Sequence, residues 1–199
     1  MDIAIVVYDG FDELDAVGPY EVFENAAAAG ADCTVSLRTM EPAERVTASH
    51  DLRIEPDGVL ADADPDLLVV PGGGWNDRSV AGAWTEAERG TIPEAVADLH
   101  EAGTTVAGVC TGGMLLARAG VLDGRLAVTH GGAMDDLRET DAEVVEARVV
   151  DDGDVLTAGG VTSGLDLACY LVEREFGEAV AERVQTEMEY EPRGTVRRG

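Results

Sequence analysis

The sequence contains no lysine. Its fourteen basic residues are all arginine and face forty acids, for a net charge of −26 over 199 residues. So little positive charge excludes the basic patches that nucleic-acid binding needs. Cysteine is scarce too: Cys33, Cys110 and Cys169 are odd in number and widely separated. That excludes a disulfide framework and points to a reducing cytoplasm. The three histidines, His50, His100 and His130, are too dispersed to form a zinc site, and His50 and His100 read as surface residues. No apolar run approaches the roughly 20 residues needed to cross a membrane. The N-terminus, Met-Asp-Ile-Ala-Ile-Val-Val-Tyr, carries an early acid and no basic region, so it reads as a first strand and not as a signal peptide. An acidic surface without lysine is expected of a halophile, because molar salt screens the self-repulsion that such a charge creates.

The chain is 45% hydrophobic, enough for one sizeable core. A single domain is expected over residues 1–192, with 193–199 trailing as a mobile tail. Strand and helix patterns alternate. Ile3–Tyr8, Cys33–Arg38, Leu67–Val70, Thr104–Val109 and Leu126–His130 read as strands. Arg45–Ile54 reads as a hairpin around Ser49-His50-Asp51, and Glu143–Asp151 with Asp154–Ala158 as another, turning at Asp152-Gly153. Helices are expected at Asp15–Ala29, at Thr85–Ala102 with an interruption near Pro93, at Thr162–Phe176 and at Glu178–Tyr190. Strands separated by helices imply parallel pairing, hence a doubly wound, flavodoxin-like α/β sheet with helices on both faces.

The most informative stretch is Thr104 to Leu116. A β-branched run reaches Cys110 and breaks into Thr-Gly-Gly before a helical pattern. This is a nucleophile elbow of the form Gly-x-Cys-x-Gly, with Gly108 and Gly112 leaving room for the turn. At the N-terminus of the next helix, free N–H groups and the helix dipole are expected to lower the Cys110 pKa. Cys33 and Cys169 read as core residues.

Ligands in such folds collect at the carboxyl ends of the strands. Four segments should meet there: residues 11–15, Pro71–Gly74, the elbow, and Thr129–Gly132. Gly73, Gly74 and the Thr111 N–H are candidate oxyanion donors, although Pro-Gly-Gly-Gly also suits a plain turn. The Thr111 hydroxyl suits either water orientation or helix capping. Asp15 reads either as a proton donor to Cys110 with a raised pKa or as a helix N-cap, and Glu13 as solvated. His130 and Trp75 read either as pocket residues or as packing.

These residues resemble the ThiJ/PfpI superfamily, relatives of the class I glutamine amidotransferases, over nearly the whole chain. The resemblance rests on Leu14-Asp15-Ala-Val-Gly18-Pro19, Val70-Pro71-Gly-Gly-Gly74, Val109-Cys110-Thr111-Gly112, Thr129-His130, Ala158-Gly159-Gly160-Val-Thr-Ser-Gly164-Leu-Asp166, and Arg183-Val-Gln185 through Tyr190. In detail it is most similar to the isocyanide hydratase branch. That likeness implies Cys110 as nucleophile, Asp15 as its carboxyl partner, Thr111 in the elbow, a small-molecule substrate, a homodimer, and no metal or organic cofactor. It implies a hydro-lyase that adds water to an isocyanide, giving an N-substituted formamide. Alternatives are a glyoxalase or deglycase acting on reactive aldehydes, and a non-enzymatic redox-sensing or small-molecule-binding stress protein. Two departures stand out. No histidine follows His130 or neighbours Cys110, which disfavours amidotransferase and protease chemistry. Gly131 stands where that branch usually has an aromatic, which should enlarge the pocket. Related regulators continue into a helix-turn-helix region, whereas this sequence stops at Gly199.

Overall fold

A computed structural model describes residues 1–199. Strand β1 (Asp2–Val6) leads into helix α1 (Glu13–Ala28), β2 (Thr34–Thr39), the small ribbon β3 (Val46–Thr47) and β4 (Arg53–Ile54), and β5 (Gly58–Val59). Then come β6 (Leu67–Val70), α2 (Ala83–Arg89), α3 (Thr91–Ala102), β7 (Thr105–Val109) and α4 (Gly112–Arg118). The remainder is β8 (Leu126–Ala127), α5 (Met134–Arg138), β9 (Glu143–Val144), β10 (Val149–Asp152), β11 (Val155–Ala158), α6 (Ser163–Phe176), α7 (Glu178–Glu187) and β12 (Val196–Arg198).

The central sheet has eight strands in the order β12-β10-β11-β7-β6-β1-β2-β5. Every pairing is parallel except the β10–β11 hairpin. Its middle strands are buried on both faces, so they carry continuous apolar runs: Leu67–Val70 is buried at all four positions. Helices α1, α6 and α7 pack together, and α2, α3 and α4 form a second group flanking the sheet. This is the expected mixed α/β architecture.

Three local expectations are corrected. The long helix over Thr85–Ala102 is two helices, and the break lies at Gly90, not Pro93. Gly90 takes φ 82° and closes α2, while Pro93 sits in the first turn of α3, where its missing N–H costs nothing. Leu126–His130 is a strand only at Leu126–Ala127, which pairs with Glu143–Val144 in a separate ribbon. The C-terminal tail is not free. Val196–Arg198 pairs parallel to β10 as an edge strand, and the Arg193 N–H donates to Asp166 at 2.6 Å.

Candidate active site

Three loops meet around Cys110. Cys110 directly follows β7 with φ 57°, a left-handed conformation costly for a residue with a side chain. The surroundings hold it there. Its N–H is shared between the carbonyls of Ala158 (3.1 Å) and Gly159 (3.0 Å), and its own carbonyl accepts from Thr129 Oγ1 at 2.8 Å. The turn works only because glycine flanks it. A Cβ on Gly112 would stand 1.9 Å from the Val70 carbonyl oxygen, and one on Gly108 would stand 2.9 Å from the Gly113 nitrogen.

Asp15 lies in the first turn of α1 and is fully buried. It is not the N-cap; Asp12 fills that role by accepting from the Leu14 N–H. Asp15 Oδ2 accepts from the Gly72 N–H at 3.0 Å. Its Oδ1 is sealed from solvent and makes no hydrogen bond of good geometry, although the Cys110 thiol lies close enough to stabilise the carboxylate. Burial, and then the charge of Asp12, push the Asp15 pKa up to about 8 against the pull of Gly72 and Cys110.

The expected acidic thiol is a correction. Cys110 is only 5% exposed. Burial, and then the negative charge of Asp15, push its pKa up to about 12. The N–H groups of Val161 and Thr111 stabilise the thiolate but do not overcome the desolvation. Asp15 and Cys110 therefore form a coupled pair in which double ionisation is disfavoured, so a thiolate there requires Asp15 to keep its proton. Cys169 is buried and also raised to about 12, whereas Cys33 is only partly buried.

The Gly-rich loop is less open than the sequence suggests. The Gly73 N–H donates to Thr111 Oγ1 at 2.9 Å, and the Gly72 N–H is taken by Asp15, so neither is free for an oxyanion. The Gly74 N–H has no internal partner. Thr111 thus ties the loop to the elbow through its hydroxyl and presents its N–H to the sulfur. Glu13 is not simply solvated: it accepts from the His50 backbone N–H at 2.6 Å and pairs with His50 Nδ1 at 2.7 Å. Burial opposes its ionisation, yet hydrogen bonds led by the His50 ring hold its pKa at about 2.

His130, Trp75 and Gly131 separate. His130 Nδ1 accepts from the Gly132 N–H at 3.0 Å and lies 3.2 Å from the Asn76 amide; its ring packs over Gly160. Trp75 is buried, donates from Nε1 to Asp136 at 2.6 Å and stacks edge-on against Trp84. Gly131 lines an open hollow of about 500 Å³ with Thr129, Arg148 and Gly160, and a Cβ there would touch nothing. The Val161 N–H and the Thr129 hydroxyl were not singled out from sequence. Each comes from a segment carrying a family-like motif, but their reach to Cys110 depends on sheet order.

The DJ-1/PfpI family matches residues 1–174. The chain belongs to the DJ-1/PfpI family. Among similar proteins, isonitrile hydratase of Pseudomonas putida is 32% identical over 195 residues, covering 96% of this chain and 79% of that protein. The Parkinson disease protein 7 homolog of Danio rerio is 29% identical over 186 residues, covering 91% of this chain and 93% of that protein. A crystal structure of a ThiJ/PfpI family protein from Pseudomonas syringae superposes with a TM-score of 0.85 at 29% identity, covering 96% of this chain and 76% of that one. DJ-1/PfpI membership accounts for the flavodoxin-like sheet.

Proposed function

We propose that this DJ-1/PfpI protein hydrates an isocyanide to an N-substituted formamide, with Cys110 as nucleophile and Asp15 as proton carrier. One observation carries the reading: a fully buried carboxyl with an unpartnered oxygen beside a thiol that two backbone N–H groups address. The likeness to an isonitrile hydratase supports the substrate class.

The chemistry balances on this pair. Asp15 gives up its proton before Cys110 does, so the active form, thiolate with protonated Asp15, is the tautomer formed when the carboxylate takes the thiol proton. The sulfur lone pair attacks the terminal carbon of R–N≡C while the Asp15 proton moves to that carbon, giving the thioimidate R–N=CH–S–Cys110. Asp15, now a carboxylate, takes a proton from water as the water oxygen adds to the carbon, and passes that proton to nitrogen. The tetrahedral adduct then loses its hydroxyl proton to Asp15 as the C–S bond breaks. The products are R–NH–CHO, the thiolate and protonated Asp15. The Val161 and Thr111 N–H groups hold the sulfur charge at the beginning and end of the cycle. No metal or organic cofactor takes part in this scheme.

The same reading takes the protein as a cytoplasmic homodimer adapted to molar salt. Gly131, with open space around it, favours bulkier isocyanides. The discriminating assay offers isocyanide and methylglyoxal separately in molar potassium chloride. Formamide without methylglyoxal loss supports the hydratase; methylglyoxal loss alone replaces it with the aldehyde-processing alternative. Sedimentation in the same buffer reads the oligomer, and a monomer would remove the dimer from the proposal.

A further inference from the structure

One sizeable cavity lies away from Cys110. It holds about 740 Å³ and opens between the end of β1 and helix α2, with neither Cys110 nor Asp15 in its wall. Tyr8, Asp9, Met40, Val46, Glu86 and Arg89 are among the residues that line it.

Glu86 is the unusual member. Its side chain is only 8% exposed, although it carries a carboxyl group. One oxygen accepts from Arg89 at 2.7 Å, but the Arg89 side chain is 64% exposed. The other oxygen has no protein partner. It is also not sealed off, because the only sealed, unpartnered side-chain atom in the chain is Asp15 Oδ1. Glu86 is one of the residues that line the cavity. Asp9 supplies a second carboxylate on the same cavity; its Oδ1 accepts from the Thr47 N–H at 2.9 Å and its Oδ2 has no partner. Burial raises the Glu86 pKa, Arg89 lowers it and the Asp9 charge raises it, so two acids share this space with one solvent-facing base. On the rim, Glu41 and Arg45 offset each other in charge. Val80, 97% exposed, stands at the lip and leaves apolar surface without cover.

We infer that this cavity is a second ligand site, taking a small organic ammonium ion whose head lies between Glu86 and Asp9 and whose apolar body rests on Met40, Val46 and Val80. A buried carboxylate with an open acceptor gains most from a compact cation that can donate several hydrogen bonds. Mixed apolar walls with a few convergent polar groups are the usual make-up of a small-molecule site. An anion would have to take Arg89 from Glu86 and then face two carboxylates.

The test is a saturation-transfer NMR titration with cyclohexylammonium, beside cyclohexanol and cyclohexanecarboxylate as neutral and anionic counterparts. The ammonium ion should bind wild type and Cys110→Ala alike, and the other two should not bind. Glu86→Gln removes the charge and should weaken binding about tenfold or more. Ala43→Trp fills the rim, keeps both carboxylates and should weaken it similarly; it decides the matter if Glu86→Gln fails to fold. The inference is overturned if the carboxylate binds as well as the ammonium ion, if no ammonium binding is seen, or if the variants bind like wild type.

Discussion

Asp15 lies beside Cys110 in the interior, and its carboxyl is anchored by the Gly72 N–H at 3.0 Å. Neither group ionises easily there: the carboxyl is pushed up to about 8 and the thiol to about 12. The arrangement is a proton store more than an acidic thiol. The first proton to leave belongs to the pair.

This pair makes stability depend on pH in a stated direction. Asp15 holds its proton more tightly folded than unfolded, so the folded state binds more protons between about 4 and about 8. The stability contribution of Asp15 is therefore complete below about 4 and falls as pH rises toward 8. Asp15→Asn removes the titration and still accepts from Gly72. Its melting temperature should exceed that of wild type by several degrees at pH 8, with the gap closing toward pH 4. Melting curves across that range check this; a gap that stays constant would mean Asp15 is not the titrating group.

Thr111 acts through its hydroxyl on the neighbouring loop. Thr111→Val keeps the shape but strands the Gly73 N–H, at a cost of about 1 kcal/mol or more. Thr111→Ser should stay close to wild type. Urea midpoints of the three proteins decide it, and equal midpoints for valine and serine would show that the Gly73 bond contributes nothing.

The surface charge calls for salt. With forty acids against fourteen arginines, lowering potassium chloride from molar to millimolar lengthens the screening distance from about 3 Å to well beyond 10 Å. The melting temperature should fall steadily along that series. A midpoint independent of salt would mean that local pairs, such as Arg125–Asp154 and Arg174–Asp151, already compensate the acids.

Much of the fold was legible because its signals are local. Leu67–Val70 and Thr104–Val109 read as buried parallel strands from their apolar runs, and the elbow from its Gly-x-Cys-x-Gly pattern. Asp15 was legible as a partner of Cys110 only with the family resemblance, since an aspartate in a first helical turn also reads as a cap. Other features were hidden for physical reasons. The elbow position suggested an acidic thiol, but burial and the Asp15 charge outweigh the helix terminus, and burial is a property of the packed molecule. The Val161 N–H reaches Cys110 because β11 lies beside β7, a neighbour relation that no local pattern contains. The C-terminal strand is three residues, Val-Arg-Arg, stabilised by pairing with β10 and not by any apolar run of its own. Trp75 next to a glycine loop reads either as a pocket wall or as packing, and only the fold shows Asp136 and Trp84 enclosing it.

The central claim is covalent catalysis by Cys110 with Asp15 as proton carrier. Its most direct test is formamide appearance from a small aryl isocyanide in molar potassium chloride, measured for wild type, Cys110→Ser and Asp15→Asn. Wild type should turn over and Cys110→Ser should not, because no histidine stands beside the elbow to activate a serine hydroxyl. Asp15→Asn should lose about 10²- to 10⁴-fold in rate, having no proton to deliver. Equal rates for wild type and Cys110→Ser would contradict the account.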